Sequence, residues 1–175
     1  MPRYETERLL LRDYTENDLH DLHALISDRP TMHYLDDIAT NTIDETSENL
    51  QHAIANADGH YFCICNKHTG EFIGSVGYTT TDTTPLEKVG HLGFFILPQF
   101  HGKGYTPEAA KCAIDFAFSE DGCIRITTGC HKDNIPSQKV IGKLGFRKES
   151  ESTDRFEYTL NKDDYINIQN GGQHD

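Results

Sequence analysis

One stretch of this chain restricts its fold more than any other. An apolar run over residues 88–97 meets Pro98 and then two glycines, Gly102 and Gly104, before an alanine-rich pattern begins. Ala109, Ala110, Ala113, Ile114 and Ala117 recur at helical spacing, so a strand turns directly into an amphipathic helix of about 15 residues. That passage makes a crossover. Residues 61–66 and 72–78, both apolar and separated by a turn with Thr69 and Gly70, read instead as a hairpin. A chain that contains both needs a mixed sheet, and the expected class is α+β.

The other elements follow from the same periods. Residues 8–12 form a short apolar run between charges and read as a strand. Leu19, Leu22, His23 and Ile26 mark a helix over 17–27, and a second helix is expected over 44–56. The threonine-rich stretch 79–85 reads as a loop. Residues 123–131 are a strand, 137–144 a helix closed by Gly145, and 146–150 and 156–160 the last strands. Nothing repeats and composition does not break, so 1–160 is expected to be a single domain and 161–175 a polar tail that frays.

At 175 residues, 36% of them hydrophobic, the chain can bury a core without disulfides. Its five cysteines include no C-x-x-C pair, so buried, reduced thiols and no metal site are expected. No run approaches the roughly 18 apolar residues of a membrane span, and the start of the chain has no signal-peptide core. A cytoplasmic protein that does not enter membranes is the expectation. The net charge of −12 argues against binding nucleic acid through a basic surface. It suits a cationic substrate, and simple solubility explains it equally.

Glycines at the mouth of a helix leave backbone N–H groups uncovered, and these donors, with the positive end of the helix dipole, bind phosphate. Gln99, His101, Gly102, Lys103, Gly104 and Tyr105 thus form a candidate pyrophosphate cradle, with the Lys103 charge beside it. A tight glycine turn without a ligand gives the same local pattern. The Walker ending is absent, and so is the third glycine of a dinucleotide fingerprint.

The motif Gln99-x-x-Gly102-x-Gly104 resembles the acyl-CoA signature of the GNAT N-acetyltransferase superfamily. The wider context is similar to the branch of the ribosomal-protein acetyltransferases RimJ and RimL. The stretch from Thr6 through Arg8 to Arg12 resembles that branch's opening strand. Gly104-Tyr105-Thr106-Pro107-Glu108-Ala109 resembles its Gly-Tyr-Ala-Thr-Glu-Ala. Asn134 and Ser137, followed by Lys143-Leu144-Gly145-Phe146, resemble its ending. The likeness reaches to about Leu160.

The resemblance implies a mostly antiparallel sheet of about six to seven strands with about four helices. It implies a splay between strands 88–97 and 123–131 that takes the arm of acetyl-CoA. Backbone groups of Phe95, Ile96 and Leu97 would pair with the arm, residues 99–105 would hold the pyrophosphate, and Asn134 would fix the far side. Ile96 or Leu97 would donate to the developing oxyanion, and Ser137 would protonate the departing thiolate. The branch's strand glutamate is replaced by His91, a candidate base, with Glu71, Glu149 or a water chain as alternatives. The acceptor would lie against the helical arm carrying His20, His23 and His33, near Asp36, Asp37, Asp44 and Glu45, a cluster that a solvated face also explains. Tyr78 and the loop after it would border the cleft.

The function implied is acetyl transfer to a primary amine, as a small molecule or a protein N-terminus, by a monomer or homodimer. A small-amine acetyltransferase and a non-catalytic CoA sensor are the alternatives.

Overall fold

The computed structural model describes residues 3–84 and 87–171. Its centre is an eight-stranded sheet with spatial order β1-β2-β3-β4-β5-β6-β8-β7. The strands are β1 (Arg3–Glu5), β2 (Leu9–Asp13), β3 (Gly59–Asn66), β4 (Phe72–Thr84), β5 (Glu87–Ile96), β6 (Arg125–His131), β7 (Arg147–Glu151) and β8 (Arg155–Asn161). Helices α1 (Leu19–Ile26) and α2 (Ile43–Ala55) pack together, α3 (Tyr105–Ser119) links β5 to β6, α4 (Ile135–Lys143) follows β6, and α5 (Lys162–Gln169) follows β8. The α+β class and the mostly antiparallel sheet are as expected. The strand and helix counts are slightly higher, because β1 and α5 were not anticipated.

Strand alternation sorts the chain into two layers. Leu9, Leu11, Phe62, Ile64, Val76, Leu92 and Ile96 join the face that α3 covers with Ala109, Ala110, Ala113, Ile114 and Ala117, all fully buried. These alanines let the helix approach the sheet closely, so α3 is buried over much of its length. On the opposite face Tyr14, Leu22, Leu25, Ile26, Leu50, Cys63 and Cys65 make a second core under α1 and α2.

Every pairing is antiparallel except β5 with β6, which the α3 crossover makes parallel. That pairing covers only Val89–Arg125, Gly90–Ile126 and His91–Thr127. Beyond it the strands diverge, and the Thr128 hydroxyl takes the Leu92 carbonyl at 3.0 Å in place of a ladder N–H. The expected splay is therefore present and begins after His91.

Two stretches differ from the sequence reading. Residues 79–84, expected as loop, extend β4, because β-branched threonines suit a pleated strand and pair with β5 down to Glu87. Pro85 lies outside the described residues. Within the presumed tail, α5 forms because Tyr165 is buried against Phe118 and donates to the Asp115 carboxylate at 2.7 Å. Tyr165 is the one buried residue of this helix, whose Ile166 and Ile168 are exposed. Four cysteines are buried and the fifth, Cys112, is half-buried, all as free thiols.

Candidate active site

The turn between β5 and α3 is built as the glycines require. Gly102 and Gly104 take φ of +72° and +79°, the left-handed region that side chains disfavour. Nothing lies within 4 Å of a Cβ placed on Gly102, so its glycine serves backbone conformation and leaves the surface open. The N–H groups of Gly102, Lys103, Gly104, Tyr105 and Thr106 find no acceptor among the described residues. Five consecutive free donors at the start of a 15-residue helix make an anion cradle. Gln99 and Lys103 are exposed beside it, and Tyr105 is half-buried. His101 turns back, its Nε2 donating to the Ile96 carbonyl at 3.0 Å, so this ring closes the end of β5.

The cradle is anchored from the other end of the chain. Glu108, in the first turn of α3, accepts from the Thr6 hydroxyl and from Arg8 Nε at 2.8 Å and Nη2 at 2.6 Å. Arg8 Nη1 also donates to the Lys103 carbonyl at 2.9 Å, and its guanidinium lies 4.4 Å from the centre of the Tyr105 ring. Burial pushes the Glu108 carboxyl up, but the hydrogen bonds from Thr6 and Arg8 with the Arg8 charge outweigh it and hold it below its ordinary value. Two motifs read separately in the sequence, the opening Thr6–Arg8 turn and Glu108, are one contact. Arg8 is a site-building residue that sequence reading did not single out.

Backbone direction decides which groups of β5 face the splay. Leu97 N–H donates to the Ile73 carbonyl at 2.9 Å, and the Leu97 carbonyl accepts from Phe100 N–H. In an antiparallel ladder the bonding direction alternates, so Phe95, two residues back, also points its N–H and C=O toward β4. The groups of Phe94 and Ile96 therefore face the opening. Thr128 on the Leu92 carbonyl and His101 on the Ile96 carbonyl fit this parity. Of the expected pairing groups Phe95, Ile96 and Leu97, the ladder leaves Ile96, joined by Phe94. Leu97 is excluded as the oxyanion donor because its N–H is already taken.

Across the splay, the Asn134 side chain caps α4 by accepting from Ser137 N–H at 3.2 Å. The Ser137 hydroxyl is left for other partners, and with Tyr158 it approaches the Cys130 thiol. Tyr158 pairs with Thr128 across β6 and β8. It supplies a tyrosine hydroxyl at this end of the splay. Burial pushes the Cys130 thiol up, so it stays protonated.

The other face of the splay carries a different chemistry. His91 stands exposed on the last paired rung, Nδ1 3.1 Å from the Thr127 hydroxyl. One step into the splay on β6 is Gly129, and the Glu157 carboxylate of β8 lies over it: a Cβ there would meet Oε2 at 2.5 Å. The matching position on β5 is Gly93. The Tyr61 ring crosses the bare backbone of Gly77 and sets its hydroxyl 3.6 Å from where a Gly93 Cβ would be. Glu149 is on edge strand β7, with β8 and β6 between it and the splay, and Glu71 lies exposed in the β3–β4 turn. Tyr78 belongs to the α3 face, where it is fully buried and donates to Asp121, so it does not border the cleft. His20 is exposed, His23 bonds the Thr46 hydroxyl at 2.7 Å, and His33 packs on Tyr34, whose ring stacks on His131 at 4.9 Å.

Known proteins agree with this geometry. The family model described as "Acetyltransferase (GNAT) domain" matches residues 8–147. The uncharacterized N-acetyltransferase YnaD of Bacillus subtilis is 27% identical over 82% of each chain. Two solved structures share the fold. A spermidine N-acetyltransferase from Vibrio cholerae, in complex with CoA and spermine, has a TM-score of 0.81 at 20% identity, covering 93% of this chain and 100% of its own. A ribosomal-protein-S5-alanine acetyltransferase from Vibrio fischeri has a TM-score of 0.79 at 21% identity, covering 94% and 99%. With the family model spanning most of its length and the splay and glycine turn in place, the chain belongs to the GNAT family and is an acetyltransferase.

Proposed function

We propose that this protein transfers the acetyl group of acetyl-CoA to a primary amine by direct attack in a ternary complex. The splay carries the reading. It is open to a donor from the glycine-turn side, and the opposite face presents a carboxylate where an amine would arrive. The cradle of residues 99–105 would take the pyrophosphate, and Phe94 and Ile96 the pantetheine arm.

An ammonium has no lone pair, so one proton must leave before attack. Glu157, over Gly129 at the splay, is the acceptor we favour; His91, one rung outside it, is the second. The nitrogen then bonds the thioester carbon, and the Ile96 N–H donates to the carbonyl oxygen as charge develops there. The C–S bond breaks, the nitrogen gives up its second proton to solvent as the amide forms, and the thiolate takes a proton through the Ser137 hydroxyl, with Tyr158 adjoining, so that one proton is released overall. No cysteine is acylated.

Thiol release in variants tests the assignment. Glu157→Gln should lower kcat about 100-fold while leaving the KM for acetyl-CoA unchanged. His91→Ala should change kcat by less than about threefold. The reverse pattern would give His91 the proton, and two normal variants would remove both from the mechanism.

A further inference from the structure

Beneath α1 and α2, on the Glu157 face of the sheet, lies a cavity of about 300 Å³ whose floor includes Tyr61, Ser75 and Phe95. Phe95 belongs to the splayed part of β5, so the cavity reaches the place where chemistry would occur. Thr79, the cross-strand partner of His91, lines it as well. Its size is at the lower end of small-molecule sites.

Three observations concern what would fill it. The Asp37 carboxylate lines the cavity from an exposed position. The Tyr61 hydroxyl reaches across two glycines to stand over Gly93, a route that any side chain on Gly77 would block, since a Cβ there meets the Tyr61 ring at 2.8 Å. Finally, two lining residues hold buried polar atoms without hydrogen-bond partners, the Tyr14 hydroxyl and Asn56 Oδ1. Tyr14 is 2% exposed, and its hydroxyl faces the Ser75 side chain. Asn56 is the one non-glycine residue with positive φ among the described residues, at +48°. A buried polar atom without a partner is one that an entering polar group can satisfy.

We propose that this cavity is the acceptor site and takes a small aliphatic amine, drawn in as a cation by Asp37 and held above Gly93 by the Tyr61 hydroxyl, rather than a protein N-terminus. The inference rests on the acetyltransferase reading and adds the acceptor class. Burial, with the Asp37 charge, pushes the Tyr61 phenol up. It therefore stays protonated near neutral pH and positions the amine by hydrogen bonding, leaving the proton to Glu157.

The test uses 1,4-diaminobutane and a seven-residue peptide with a free N-terminus as acceptors, with thiol release as the readout. The wild type should acetylate the diamine with kcat/KM at least tenfold above the peptide. Tyr61→Phe, which keeps the ring in its glycine trough, should raise the diamine KM about tenfold and move kcat and the acetyl-CoA KM little. Asp37→Asn should raise the same KM about fivefold, less so at high salt. Preference for the peptide, no acetylation of either acceptor, or a diamine KM that neither variant moves would overturn the proposal. Acetyl-CoA binding, read as a rise in melting temperature, is followed in all three proteins. If the wild type shows none, the acetyltransferase reading itself fails and takes this inference with it; if all three show it, a failed panel counts against the acceptor class alone.

Discussion

Asn134 and Ser137 stand three residues apart and divide two tasks. Asn134 spends its side-chain oxygen on the backbone N–H of Ser137, so the cap needs nothing from the Ser137 hydroxyl. Ser137→Ala should therefore leave the melting temperature within about 1 °C but lower kcat. Asn134→Ala should cost about 0.5–2 kcal/mol of stability through the lost cap. Thermal melts beside thiol-release rates separate the two. A Ser137→Ala protein with full activity would leave Tyr158 as the proton source. Both residues were legible in the sequence, because they sit in one short motif. Glu157 and Tyr61 were not. Each gains its meaning from glycines on other strands, Gly129 for Glu157 and Gly77 with Gly93 for Tyr61, and sequence gives no sign that those positions lie side by side until strand register is known.

At the scale of elements, the clearest coupling is the clamp between the turn before β2 and the first turn of α3. Glu108 is held below its ordinary carboxylate value of 4.5 in the folded state. A depressed folded pKa means that the clamp stabilises the fold above the unfolded pKa and that this contribution disappears as pH falls through the folded value. Glu108→Gln should lower stability by about 1 kcal/mol at pH 7, given the partial exposure of Arg8, or roughly 2–4 °C in melting temperature. The difference should shrink as pH falls below 4.5 and vanish once pH is below the folded value. A variant equally destabilised at pH 3.5 and pH 7 would show that the clamp is not electrostatic. Element type was readable wherever apolar period was strong, as in α1, α2, α3 and β3. It failed where one contact decides the outcome: Tyr165 in α5, and the pairing that draws residues 79–84 into β4.

On the scale of the molecule, we assign the two faces of one sheet to two supplies: the donor to the α3 side at the end of β5, the acceptor to the cavity under α1 and α2, with the splay between them. The donor side was legible because glycine spacing, a helix start and the Asn134 motif lie close in sequence. The proposed acceptor side was not, because residues 14, 37, 56 and 61 meet only when α1 and α2 pack on the sheet, and Glu157 reaches Gly129 only through the β6–β8 register. Isothermal titration of acetyl-CoA into the wild type and into Gly102→Glu, which sets a carboxylate among the five free N–H groups, tests the donor side most directly. The prediction is saturable one-to-one binding by the wild type, weakened at least tenfold in the variant while its circular dichroism stays native. A wild type that does not bind, or a variant that binds equally well, would contradict the account.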